Sequence, residues 1–119
     1  MIPAVQPVTR FASIALLAVL LHLGGCSVST SVRGQVIDQT ETFKGTATGY
    51  FNGRGTLEVV SSHGLSCSGT FKYLDMSHGQ GFFTCQDGRD GPFEFTSSGM
   101  SGVGYGYVGE ARVEFTFGE

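Results

Sequence analysis

Between Cys85 and Phe95 the chain reads Cys-Gln-Asp-Gly-Arg-Asp-Gly-Pro-Phe-Glu-Phe, its densest cluster of side chains able to bind a metal or act as acid, base or nucleophile. A calcium loop of the EF-hand kind needs oxygen ligands at positions 1, 3 and 5 and a glutamate at 12. Counted from Asp87, the later places hold Arg89, Gly91 and Ser98, so the pattern fails. Asp87 and Asp90 could share a cation, but residues of a turn and a strand entry need no such role. His63 and His78 both fall where turns are expected. Ser61, Ser62 and His63 adjoin in sequence but alternate in direction, and no acid is placed to orient the histidine, as nucleophilic catalysis requires. Glu58, Glu94 and Glu114 read as solvated strand residues. The expectation is a protein without catalytic residues, cofactor or metal centre.

The composition says what kind of scaffold carries these residues. The 119 residues allow one domain. A net charge of -3 with no basic run argues against a nucleic-acid partner, because nothing is gathered to neutralise phosphates. Glycine reaches 19 and phenylalanine 10, with no tryptophan, and the polar residues are mainly Ser, Thr and Gln. That mixture favours a polar β-surface over a charged helical one.

Residues 11–23 form an apolar run interrupted by His22 and preceded by Arg10. At roughly 13 residues it is too short to cross a bilayer core of about 30 Å as a helix, and it fits the hydrophobic region of a signal peptide. The following Leu23-Gly24-Gly25-Cys26 resembles the lipobox of bacterial lipoproteins. The resemblance implies that residues 1–25 are removed and that Cys26 becomes an acylated N-terminus anchored in a membrane. Multiple chains anchor stably where one does not, each buried CH2 contributing ~0.8 kcal/mol. Ser27, where an aspartate would mark inner-membrane retention, implies an outer-membrane destination within the cell envelope. The competing reading is an ordinary secretory signal in which Cys26 is incidental.

Three cysteines are awkward in an exported chain, since one is left over. Assigning Cys26 to lipid leaves Cys67 and Cys85 as a disulfide in an oxidising compartment. A zinc site would want more Cys or His ligands near that pair.

Residues 27–34 are polar and read as a short tether, leaving residues 35–119 as a single all-β domain. Alternation with period two is pervasive there. The stretches Phe51-Asn52-Gly53, Ser62-His63-Gly64, Gln86-Asp87-Gly88 and Tyr107-Val108-Gly109 all end in glycine, as three-residue hairpin loops with a G1 bulge do. Closing them sets the register. Val59 faces Cys67, Ala47 faces Leu57, Cys67 faces Cys85 and Gly81 faces Phe93. A turn at 98–100 would oppose Phe95 to Val103 and Phe93 to Tyr105, and the last hairpin would oppose Val103 to Val113. Odd-numbered residues then share one apolar face, Val103 and Tyr105 among them, and even-numbered Thr, Ser, Lys and Glu share the other. The register also sets Cys67 and Cys85 opposite each other at a Cα separation of about 4.5–5.5 Å, within disulfide reach. With no helix to cover that face, the sheet must curl on itself. The predicted fold is an antiparallel meander of about seven or eight strands, strongly curved or closed into a small barrel, with residues 35–42 supplying the closing strand.

Two further resemblances attach to short motifs. The Gly-x-Gly pairs at 53/55, 79/81 and 102/104 give a pattern similar to MORN repeats, glycine-rich β-hairpins. Ser101-Gly102-Val103-Gly104-Tyr105 resembles the Ser-Gly-x-x-Tyr element of periplasmic inhibitors of C-type lysozyme, which are small disulfide-bearing β-barrels. That resemblance implies Ser101 as an inhibitory-loop residue and Tyr105 as its partner, although the tryptophan-containing element of those inhibitors is absent. Taken whole, the chain resembles small alphaproteobacterial-type lipoproteins, which implies nothing about mechanism. The expected role is structural or interaction-mediating, with an envelope protein or glycan as partner; the alternative is a periplasmic binding or inhibitor module.

Overall fold

A computed structural model describes residues 26–118. The leader expected over residues 1–25 lies outside the described residues. Eight strands follow in chain order: β1 (Ser27–Val36), β2 (Thr42–Tyr50), β3 (Arg54–Ser61), β4 (Ser66–Tyr73), β5 (His78–Cys85), β6 (Asp90–Ser98), β7 (Ser101–Val108) and β8 (Ala111–Phe117). Each is antiparallel to the next, and β1 pairs with β8 to close the barrel. Closure buries the single apolar face that alternation creates. Val32, Val36, Phe43, Val59, Phe83, Phe93, Phe95 and Val113 fill the interior. Thr46, Thr56, Glu58, Ser68, Thr70, Lys72, Thr84, Glu94 and Thr96 face outwards and are exposed. A barrel that spans a membrane presents an apolar band on its outside. This wall is mostly polar, with Val60, Phe82 and Val103 exposed among the Thr, Ser, Lys and Glu side chains.

From β2 to β6 the register is the one the loops dictate. Gly53, Gly64 and Gly88 close three-residue loops at φ of 82°, 81° and 89°, and Val59 opposes Cys67 while Gly81 opposes Phe93. Cys67 and Cys85 face each other and form the disulfide, with Cα atoms 3.9 Å apart. The neighbouring pair carries a ladder bond, the Gln86 N–H donating to the Ser66 carbonyl. The cysteines therefore occupy a non-hydrogen-bonded position, where opposing backbones approach most closely.

The register departs from the expectation at β7. Gly99 and Gly109, at φ of 68° and 63°, open two-residue loops instead of closing three-residue ones, so Ser98 meets Ser101 and Val108 meets Ala111. One residue fewer in the loop turns the strand over. Phe93 opposes Gly106 and Phe95 opposes Gly104, and Val113 opposes Gly106 in place of Val103. Val103 is 58% exposed, and Tyr105 also lies on the outer wall. The second two-residue loop restores odd-inward order in β8. The interior explains the choice. A Cβ on Gly102 would collide with the Phe117 ring, one on Gly104 with Phe115, and one on Gly106 with Phe93. Rings from β6 and β8 occupy the space that β7 side chains would need.

The N-terminal expectation is also corrected. Residues 27–34 form most of β1 and are not a tether, and within 35–42 only Gln35 and Val36 extend that strand before the turn at 37–41. Val32 and Val36 point inwards, while Ser27, Ser29, Ser31 and Arg33 face water.

These contacts predict opposite outcomes for two neighbouring substitutions. Gly104→Ala should cost about 1–3 kcal/mol through overpacking against Phe115, whereas Val103→Ala should stay within about 0.5 kcal/mol, as exposed sites do. Denaturant unfolding of both variants measures the difference; the reverse order would restore the odd-inward register.

Candidate functional site

The even number of strands sorts the connections into two sets. One end of the barrel carries Cys26, the loops 51–53 and 74–77, the turn 99–100 and Gly118. The other carries the loops 37–41, 62–65 and 86–89 and the turn 109–110. The two ends differ in chemistry.

The second end is plugged by an ion-pair network. Glu41, only 2% exposed, receives Arg89 Nη1 and Nη2 at 2.9 and 3.0 Å, one to each carboxylate oxygen. Arg89 is held from behind by Asp87, its Nε at 2.6 Å and its backbone N–H at 3.1 Å from the two carboxylate oxygens. The Ser61 hydroxyl donates to Glu41, and His63 Nδ1 lies 3.4 Å from Glu41 Oε2. Residues of three separate connections thus meet at one carboxylate. The Arg89 hydrogen bonds hold the Glu41 carboxyl below its ordinary value against the opposing effect of burial. Glu41 in turn pushes the Arg89 guanidinium further towards its charged form. The Arg89 backbone N–H and side chain likewise lower Asp87.

The sequence gives His63 no acid, but folding supplies Glu41. The arrangement is nonetheless not that of a nucleophile and its base, because the Ser61 hydroxyl is turned to the carboxylate and accepts the His63 and Leu65 backbone N–H groups at 3.0 and 3.4 Å. Asp87 is engaged by Arg89, and Arg89 by both Asp87 and Glu41. Asp90 begins β6 opposite Thr84. Among the described residues no group of His, Cys, Asp and Glu is arranged to hold a metal ion.

At the first end, Asp75, Ser77 and His78 also come together. Asp75 accepts the Ser77 and His78 backbone N–H groups, both at 2.8 Å, and lies 3.0 Å from His78 Nδ1. The Ser77 backbone N–H is the largest cause that lowers its pKa to about 2. The Ser77 hydroxyl meets that same Nδ1 at 3.1 Å. A relay needs serine and acid on opposite ring nitrogens, so this cluster is a turn-stabilising network.

That end is otherwise apolar and open. Phe51 is 80% exposed and Met76 98%, with Tyr50, Leu74, Met100 and Val28 also exposed around the rim. Inside it lies a cavity of about 240 Å3 lined by Val32, Leu57, Phe71, Phe95 and Phe117 among others. Edge-to-face contacts of Phe95 with Phe71, Tyr73 and Phe117, at 5.4, 5.2 and 5.7 Å between centroids, set its wall. Cys26 is exposed and immediately precedes β1 at this same rim.

On the outer wall, the Tyr105 hydroxyl donates to Glu94 at 2.8 Å, and the Arg112 guanidinium stacks 4.4 Å from the ring centroid. They border a shallow groove of about 920 Å3 that also takes in Glu114, Thr96 and His78. The Glu94 contact raises the Tyr105 pKa.

The chain is therefore an eight-stranded, closed, up-and-down antiparallel β-barrel with one disulfide, plugged by charge at one end and apolar at the other. Compared with family models, with curated proteins and with solved structures, it finds no match.

The plug carries a pH signature. A carboxyl whose folded-state pKa lies below its unfolded value stabilises the fold above the unfolded value, and that contribution is lost as the pH falls through the folded one. Stability should therefore decline on acidification below about pH 4, the ordinary glutamate range. Glu41→Gln should lower stability at neutral pH by about 1–3 kcal/mol and make that acid decline shallower. Denaturant midpoints measured against pH for both proteins check this.

Proposed function

We propose that this is an exported, lipid-anchored protein of the bacterial envelope, seated at the outer membrane through acyl chains on Cys26, with a structural or interaction-mediating role and no catalysis. One observation carries the reading: Cys26, the residue that ends the lipobox-like Leu23-Gly24-Gly25-Cys26, is exposed at the apolar end of a barrel whose wall is polar. An acyl anchor there enters the membrane without crossing the polar wall. The absence of catalysis is supported by Ser61 and Ser77, whose hydroxyls are engaged in turn and plug networks. The Ser/Thr-rich wall offers hydrogen bonds to an envelope protein or glycan. Among the described residues no basic patch is gathered that would serve a nucleic acid.

The mature wild-type protein should begin at Cys26 and carry the mass of its acyl chains, and Cys26→Ser should lose that mass and move largely to the soluble fraction. Intact-mass analysis decides. A mature wild-type protein that lacks acyl mass, or begins elsewhere, overturns the reading.

A second reading, a binding module resembling inhibitors of C-type lysozyme, gains from one observation. Ser101 and Tyr105 share the outward face of β7, where a partner can reach both. It expects lysozyme inhibition that Tyr105→Ala abolishes; a wild-type protein that leaves lysozyme activity unchanged removes it.

A further inference from the structure

We infer that the apolar end of the barrel is itself a membrane-docking surface, inserted into the lipid interface with the barrel axis pointing into the bilayer. The inference rests on the anchor proposed for Cys26 and adds where the folded domain sits. Sequence-distant segments meet at this rim and each presents apolar side chains to solvent: Val28 near Cys26, Tyr50 and Phe51, Leu74 and Met76, and Met100. At the opposite end the loops hold Asp38, Gln39, His63, Asp87, Arg89 and Glu110, and no large apolar residue is exposed among them. Val60, Phe82 and Val103 are exposed on the wall as well, and Asp75 sits between Leu74 and Met76, but six apolar side chains brought to one end from four segments mark a contact surface.

Lipid is the occupant that fits. Acyl chains on Cys26 would hold this rim against the bilayer, because β1 starts at Ser27 and leaves no length of chain between anchor and barrel. Just behind the rim, Arg54 and Lys72 lie directly opposite each other on the outer wall. Like charges in that position repel, and anionic headgroups would relieve the repulsion. Aromatic and aliphatic side chains around such a rim would bury about 5–10 Å into the boundary between headgroups and acyl chains. The cavity behind Phe51 and Met100 then opens towards lipid.

The chain has no tryptophan, so single tryptophans report without background. Phe51→Trp and Met76→Trp place one at the rim, and Glu110→Trp places one at the far turn. The processed, acylated variants would be reconstituted into vesicles of phosphatidylethanolamine and phosphatidylglycerol with and without brominated acyl chains. Emission from positions 51 and 76 should shift to the blue and lose most of its intensity to the bromines, while position 110 stays unquenched. Equal, water-like emission at all three positions would overturn the inference. So would a blue shift at 51 that appears without vesicles and grows with protein concentration, which would assign the rim to a second copy of the chain. If the processed protein carries no acyl chains, the anchor reading falls separately. Vesicles added to that protein still decide the rim, quenching at 51 and 76 supporting it and none overturning it.

Discussion

The interior of a small barrel has little room, and the rings of Phe71, Phe83, Phe93, Phe95, Phe115 and Phe117 take much of it. They fit because facing wall positions give up their side chains. A Cβ at Gly55 would meet Phe71, at Gly79 Phe95, at Gly81 Phe93, and at Gly104 Phe115. Each ring thereby lies over a neighbouring strand's backbone, and the sheet can curve tightly enough for β1 to reach β8. In the Gly-x-Gly pairs, Gly55, Gly79, Gly81, Gly102 and Gly104 have this packing role, while Gly53 closes a loop at positive φ. Everything else depends on that closure, since an open sheet would leave an apolar face in water.

Closure also creates two ends, and the chain treats them differently. At one, loops separated by as many as 48 residues converge on the Glu41 carboxylate, and a disulfide near the same strand ends cross-links residues 18 apart. In a loop-entropy picture, a bridge of that span contributes about 3 kcal/mol. Burying Glu41 is costly unless its charge is matched, and the two-pronged contact from Arg89, backed by Asp87, supplies the match. At the other end Asp75, Ser77 and His78 form an exposed network within one turn, and the loops expose Phe51, Met76 and Met100.

Much of the wall was readable in the chain because three-residue loops ending in glycine count register arithmetically, which sufficed from β2 through β6 and put Cys67 against Cys85. The count broke at Ser98-Gly99-Met100-Ser101, where glycine serves the first position of a two-residue loop. Local chemistry alone does not separate the two uses. A non-local clue did exist, since Gly102, Gly104 and Gly106 share one face of β7 opposite a strand rich in phenylalanine. β1 was obscured by its outward serines, although Val28, Val32 and Val36 alternate in phase on its inner side. The Glu41–Arg89 pair left no trace, because a contact so distant in sequence arises only once the barrel is closed. The reading of "CQDGRDGPFEF" as a turn survives, with Arg89 and Asp87 gaining a structural role.

The barrel is closed by charge at one end, and at the other we propose that it meets lipid. Hydrogen–deuterium exchange of the acylated protein, compared between vesicles and detergent-free nanomolar solution of the Cys26→Ser form, tests it most directly. Amides of residues 50–53, 74–77 and 99–100 should exchange more slowly on vesicles, while those of 37–41, 62–65, 86–89 and 109–110 should exchange alike in both. Slowing confined to the second set, or equal at both ends, would contradict it.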